Sequence, residues 1–102
     1  MSPEEFEALV RAALDEVPPE LASALENVAV VVADEDPDDP TLFGLWEESP
    51  YLPDRITIFR LPLERAFPTR ADLAREVRVT VLHELAHYFG IDEDRLDELG
   101  YG

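Results

Sequence analysis

The sequence contains no cysteine, no lysine and only two histidines among its 102 residues. Without cysteine the chain can form no disulfide, and any metal site must be built from His, Asp and Glu side chains. The longest apolar run, residues 28–33, is far shorter than a bilayer-spanning helix. The first residues include neither a basic segment nor an apolar one, so they show no secretory signal and we expect a cytoplasmic location.

Positive charge is also scarce, because eight arginines face 24 acidic residues and the formal net charge is -16. A nucleic-acid backbone or an anionic membrane surface needs a basic partner surface, so the charge excludes both. Small cations, basic segments and neutral peptides stay compatible with it. Hydrophobic residues make up 46% of the chain, which is enough for one modest core in a single domain of residues 1–102.

The N-terminal segment predicts a helix that begins with a capping box. Ser2 suits the cap position, Pro3 the first helical position and Glu5 the third. Apolar residues then recur at helical spacing, at Phe6, Leu9, Val10, Ala13, Leu14 and Val17. The two prolines 18–19 end this helix, and a short helix over about residues 20–25 follows.

The middle of the chain predicts strands. Residues 27–33 are small and β-branched without polar alternation, which is typical of a strand buried on both faces and therefore central. A second strand is expected over residues 42–47, where Gly44 marks a bulge or a close approach. It is either an edge strand, able to pair with an extended peptide, or an internal strand with Trp46 in the core.

Two turns and a third strand complete this region. The acidic residues 34–40 include two prolines and predict a solvated loop rather than a calcium site. Residues 49–54 predict a turn. Residues 55–61 alternate as a third strand, with Ile56 and Ile58 on one face.

The last third of the chain predicts a helix of about twenty residues. Thr69 and Asp72 form its capping pattern and Gly90 its end. Its apolar stripe consists of Leu73, Val77, Val81, Leu85 and Phe89. A short helix over residues 93–99, capped by Asp92, follows. Helices before and after a group of strands indicate an α+β domain.

Both histidines lie on the long helix, in the sequence His83-Glu84-Leu85-Ala86-His87. Residues i and i+4 share a helix face, so both imidazoles can reach one zinc ion. Glu84 projects about 100° away from His83, where its carboxylate can act as a general base on an activated water. Two such histidines can also be plain packing or surface residues, but the capped amphipathic helix is the context that the motif requires.

A third metal ligand has to be a carboxylate, since there is neither a third histidine nor a cysteine. Gly90 lets the chain turn back, and Glu93 follows at the spacing H-E-x-x-H-x-x-G-x-x-E. Asp92 is better explained as a helix cap, Asp94 is a further candidate, and a site without a third protein ligand is the remaining alternative. All three acids can equally form a solvated first turn that the helix dipole favours.

Four stretches resemble zincin metallopeptidases, and most closely a family of small bacterial zincin-like proteins of about this length. They are residues 27–35 (NVAVVVADE), 42–45 (LFGL), 55–65 (RITIFRLPLER) and 83–93. The resemblance implies a minimal zincin fold, in which a three- to four-stranded mixed sheet packs on the active-site helix, with an N-terminal and a short C-terminal helix. It implies His83, His87 and Glu93 as ligands of one Zn²⁺ per chain. It also implies Glu84 as the catalytic base and a peptide or protein as the substrate.

The chain departs from larger zincins in two ways. Met1 is the only methionine, so there is no Met-turn, and no second domain forms the far wall of a substrate cleft. The main expectation is therefore a zinc-dependent hydrolase of peptide bonds. The alternatives are a non-catalytic binding or regulatory module on a zincin scaffold and a purely structural zinc site. Candidates for stabilising an oxyanion are Tyr51, Tyr88, Tyr101 and Arg95.

Overall fold

Five helices, one 3-10 turn and three strands make up the described part of the computed structural model. It describes residues 1–48, 50, 53–90 and 93–98, without the side chains of Glu20, Leu21, Ala24, Leu25, Tyr88, Phe89, Glu93, Leu96 and Asp97. The order is α1 (Pro3–Asp15), α2 (Pro19–Ala22), the 3-10 turn (Ser23–Asn27), β1 (Val28–Ala33), β2 (Gly44–Glu47), β3 (Asp54–Phe59), α3 (Arg60–Ala66), α4 (Arg70–Phe89) and α5 (Glu93–Glu98). This order confirms the α+β class.

The ends of the two main helices follow the capping residues. The Glu5 N–H donates to Ser2 Oγ at 3.2 Å at the start of α1. The Asp72 N–H donates to Thr69 Oγ1 at 3.3 Å at the start of α4. Gly90 ends α4 in the left-handed conformation, with φ 68° and ψ 27°, which glycine adopts without a steric penalty. These local predictions are confirmed, whereas the predicted cap Asp92 and most of the predicted turn 49–54 lie outside the described residues.

The three strands form one mixed sheet in the order β1-β3-β2, with β1 parallel and β2 antiparallel to β3. The prediction that β1 is central is wrong. Val31 is 39% exposed, and β3 is the strand with a neighbour on each side. A run of small apolar residues indicates a strand, but its position in the sheet depends on how it pairs with β3, which lies later in the sequence. Strand β2 is the other edge, and Trp46 packs half-buried against the core.

The chain leaves β3 two residues earlier than predicted and forms α3, which the sequence pattern does not predict. Pro62 lies in the first turn of α3, where its missing N–H costs no helical hydrogen bond. Arg60 fixes this corner, because its guanidinium contacts Asp34 at 3.0 Å and Glu64 at 3.1 Å. The predicted last two strand residues are thus the first two helical ones.

Helix α4 is the centre of the core. It packs against α1 on one side and against the sheet on another. Its residues Val77, Val81 and Leu85 are fully buried, as are Phe6 of α1 and the β3 residues Ile56 and Ile58. This packing holds the long helix rigidly beside β2. Within the described part of the chain, no helix combines the length and the apolar character needed to cross a membrane.

Candidate active site

Strand β2 begins unusually close to helix α4. A Cβ atom at Gly44 would lie 2.9 Å from Thr80 Cγ2 and 3.2 Å from Glu84 Cγ. The regular β2–β3 register shows that Gly44 permits a close approach rather than a bulge. The absence of a side chain at this one position therefore brings the edge strand against the helix turn that carries Glu84.

We expect Gly44→Ala to lower the free energy of unfolding by about 1–3 kcal/mol, because the added methyl overlaps Thr80 on a well-packed helix. Chemical denaturation of the two proteins measures the difference. Thr80→Ser removes the contacted Cγ2 atom. Gly44→Ala should therefore cost less stability in the Thr80→Ser protein than it does in the wild type. Equal stability of Gly44→Ala and the wild type would show that the contact is not tight.

His83 and His87 lie one turn apart on α4, as predicted, and Glu84 directly follows His83. His83 is half-buried, whereas the side chain of His87 is 64% exposed. The Glu84 side chain between them is only 13% exposed, and its Oε2 atom is 3.7 Å from His87 Nδ1. The Glu84 carboxylate is thus largely shielded from water and lies close to the ring of His87.

Burial raises the pKa of Glu84 above the ordinary glutamate value. Electrostatic attraction to nearby His87 and His83 opposes this effect without cancelling it. A carboxylate with a raised pKa is a better proton acceptor near neutral pH than an exposed one. The environment therefore favours a general base at this position.

The raised pKa predicts that ionised Glu84 destabilises the metal-free fold. The folded state holds the proton more tightly, so stability is lost as the pH rises from the unfolded pKa through the folded pKa. We expect metal-free Glu84→Gln to have a higher Tm than the wild type above this interval. Below the ordinary glutamate pKa the difference should disappear. Thermal unfolding in chelator across this pH range measures it, and a constant difference at every pH would contradict it.

An open cavity of about 440 Å³ lies beside the motif, between α4 and the segment 39–44. His83 and Glu84 both line it, together with Gly44. Its remaining lining residues are Asp39, Thr41, Leu42, Phe43, Glu76, Val79 and Thr80. Sequence reasoning found Gly44 from its position in a strand, but nothing local identifies the others. The candidate base therefore faces a space large enough for a ligand group.

The described side chains do not include the main candidates for a third metal ligand. Glu93 begins α5, but its side chain lies outside the described residues, as does all of Asp92. Asp94 is exposed on α5. Among the side chains that the structure describes, no three His, Asp or Glu residues form a complete metal site. Two imidazoles one turn apart on a helix fit zinc chemistry.

Of the four candidates for an oxyanion role, Arg95 alone has a side chain within the described part of the structure. The Arg95 guanidinium contacts Glu98 on the same helix at 3.1 Å. Tyr51 and Tyr101, and the side chain of Tyr88, lie outside the described residues. The described site thus consists of His83, Glu84, His87 and the adjoining cavity.

Comparison with known proteins gives a family and a similar fold. A family model described as zincin-like metallopeptidase matches residues 25–102. A solved structure of a conserved hypothetical protein from Thermo thermophilus is similar, with a TM-score of 0.62 and 24% identity over 87% of this chain and 94% of that one. That likeness shows the fold alone, and no curated protein matches the sequence. Because the family model covers more than half of the chain, this protein belongs to the zincin-like metallopeptidase family.

Proposed function

We propose that this chain is a zinc-dependent peptidase in which Glu84 is the general base. The observation that carries the proposal is the position of Glu84, which is largely shielded from water, lies 3.7 Å from His87 Nδ1 and lines an open cavity together with His83. Membership of the zincin-like metallopeptidase family supports the same reaction class. The site also contains the two side-chain types that zinc hydrolases need, namely imidazole ligands and a nearby unligated carboxylate.

His83 and His87 are the proposed zinc ligands, with Glu93 as the third. The Nδ1 atom of His87 faces Glu84, so Nε2 is the ring nitrogen that would bind. A zinc ion bound there supplies Lewis acidity, which makes water nucleophilic at neutral pH and polarises a carbonyl group. One zinc per chain is expected.

The proposed reaction moves one proton through Glu84. Its carboxylate accepts a proton from water as the water oxygen bonds to the scissile carbonyl carbon. The same carboxyl group then donates that proton to the amide nitrogen as the C–N bond breaks. The products are a carboxylic acid and an amine. The Glu84 side chain is only 13% exposed, so few water molecules compete for its carboxylate before a substrate covers the cavity.

Strand β2 offers a way to bind an extended peptide. It is an edge strand of the described sheet, so one side of its backbone is not paired with another strand there. An added strand can use these backbone groups for affinity, without regard to the peptide sequence. Gly44, at the start of β2, lies against Glu84, so a peptide on this edge would pass the proposed base.

The test is metal analysis combined with a cleavage assay. We expect the purified chain, after incubation with Zn²⁺ and removal of excess, to contain one zinc per chain and to cleave unstructured peptides. Mass spectrometry of the products identifies the cleaved bonds, and a chelator should stop the reaction until zinc is restored. Failure to retain zinc would refute the metal site. Zinc retention without any cleavage would refute the peptidase.

The second candidate function is a binding module that keeps the metal without turnover. The openness of the cavity favours it, because hydrolysis benefits from a site that closes around its substrate. This candidate predicts saturable peptide binding with no products after prolonged incubation. Cleavage by the wild type but not by Glu84→Gln would exclude it.

A further inference from the structure

The charged groups that line the cavity beside the motif are mainly negative. Among the residues that the structure describes, three carboxylates line it, from Asp39, Glu76 and Glu84, whereas no arginine does. The other titratable residue of this described lining is His83. Glu84 is already assigned to proton transfer, so Asp39 and Glu76 are the acidic residues that the proposed reaction does not use.

Asp39 is held in place by its own loop. Its Oδ1 atom accepts hydrogen bonds from Thr41 Oγ1 at 2.6 Å and from the Thr41 backbone N–H at 3.0 Å. These bonds lower the pKa of Asp39, an exposed carboxylate that is ionised at neutral pH. Since Thr41 also lines the cavity, the pair forms a fixed anionic point on its wall.

Glu76 supplies the second negative group from the helix. It lies seven residues before His83, hence two turns away on the same face of α4. Its side chain is 26% exposed, and its nearest basic atom in the described structure, Arg75 Nε, is 3.9 Å from Oε1, beyond hydrogen-bonding distance. The carboxylate is therefore only weakly compensated within the described residues.

The rest of the wall is apolar, formed by Leu42, Phe43 and Val79. An aliphatic stem with a cationic end matches a cavity that combines apolar walls with fixed carboxylates. Arginine and lysine side chains have this form. A simple cation would gain nothing from the apolar wall. A wholly apolar side chain would leave the carboxylates without a positive charge beside them.

We propose that this cavity is a specificity pocket for an arginine or lysine side chain flanking the scissile bond, and that Asp39 and Glu76 select its charge. The proposal rests on the peptidase function, since the pocket shares His83 and Glu84 with the proposed reaction site. The substrates are then basic, extended segments, which the charge of -16 also attracts at long range.

The experiment compares two peptide mixtures in which some positions are fixed and the others are random. The fixed positions hold arginine in one mixture and its neutral analogue citrulline in the other. The zinc-loaded wild type should cleave the arginine mixture about tenfold faster, with arginine enriched at one position beside the cleaved bond. Asp39→Asn and Glu76→Gln should each reduce this preference about three- to fivefold, in the range of single partly exposed ion pairs. High salt should reduce it as well.

Two control variants remove the same charge elsewhere. Asp38→Asn changes the preceding residue of the same loop, which is exposed like Asp39, and Glu7→Gln changes an exposed residue of α1. Neither residue belongs to the described lining of the cavity. Both should keep the full arginine preference. Equal losses in the controls and in the cavity variants would overturn the pocket, because the effect would then come from net charge alone.

A binding measurement separates the pocket from the peptidase. Fluorescence anisotropy with zinc-loaded Glu84→Gln, which retains Asp39 and Glu76, compares the arginine and citrulline peptides. Arginine-selective binding without any cleavage by the wild type would support the pocket and refute the peptidase. Cleavage without an arginine preference would refute the pocket and leave the peptidase standing. Absence of both cleavage and selective binding would refute both.

Discussion

Glu84→Gln is expected to reduce peptide-bond cleavage about 10²- to 10⁴-fold, the usual contribution of a general base. Glutamine keeps the size and most contacts of the glutamate but cannot accept the proton from water. The loss should therefore fall on kcat, while KM changes little. Cleavage assays with the zinc-loaded wild type and variant measure both constants.

Two further measurements exclude other causes of such a loss. Zinc content should be unchanged in Glu84→Gln, because the proposed base is not a ligand. Glu7→Gln, an exposed change of the same type on α1, should cleave like the wild type. If Glu84→Gln retains activity within a factor of about three, far below a general-base contribution, the assignment of Glu84 as the base is wrong.

His83→Ala and His87→Ala are each expected to weaken zinc binding by more than about 100-fold, more than the loss of a residue that only orients a ligand. Each change removes one of two neutral nitrogen donors from a site that has no cysteine. Competition with a chromogenic chelator measures the affinity. Zinc should also raise the Tm of the wild type but not that of the variants, because a ligand that binds only the folded state stabilises it.

The metal-free variants provide the control for folding. His87 is largely exposed, so His87→Ala should unfold at nearly the same temperature as the metal-free wild type. Retention of full zinc affinity by His87→Ala would contradict the proposed ligand pair. Glu93→Ala, compared with Asp92→Asn and Asp94→Asn, identifies the third ligand, and the loss is expected for Glu93.

Most of what the sequence predicts correctly depends on neighbouring residues. The limits of α4 follow from Thr69 and Gly90, and the spacing of His83 and His87 follows from helix geometry. The pairing of β1 depends on β3, more than twenty residues later, so its apolar composition indicates a central strand incorrectly. Local sequence patterns cannot predict the cavity for the same reason. Asp39 and Glu76 line it together only because the acidic loop lies beside α4 in the folded chain.

Helix α3 shows a different reason for a wrong prediction. The alternation through Ile56 and Ile58 continues into Leu61 in the sequence, but the backbone changes direction at Arg60. The contacts of Arg60 with Asp34 and Glu64 stabilise that corner, and Asp34 belongs to a distant segment. A periodic pattern cannot show where such a contact ends a strand.

The strand order β1-β3-β2 also determines when this domain can fold during its synthesis. The central strand is the last of the three to be synthesised. Val28 of β1 cannot pair with Asp54 until that residue, 26 positions later, has been added. The apolar face of α1 likewise stays uncovered until α4, against which it packs, has been synthesised. We therefore expect the described core to form only after the ribosome has made most of the chain, so that folding comes late in synthesis.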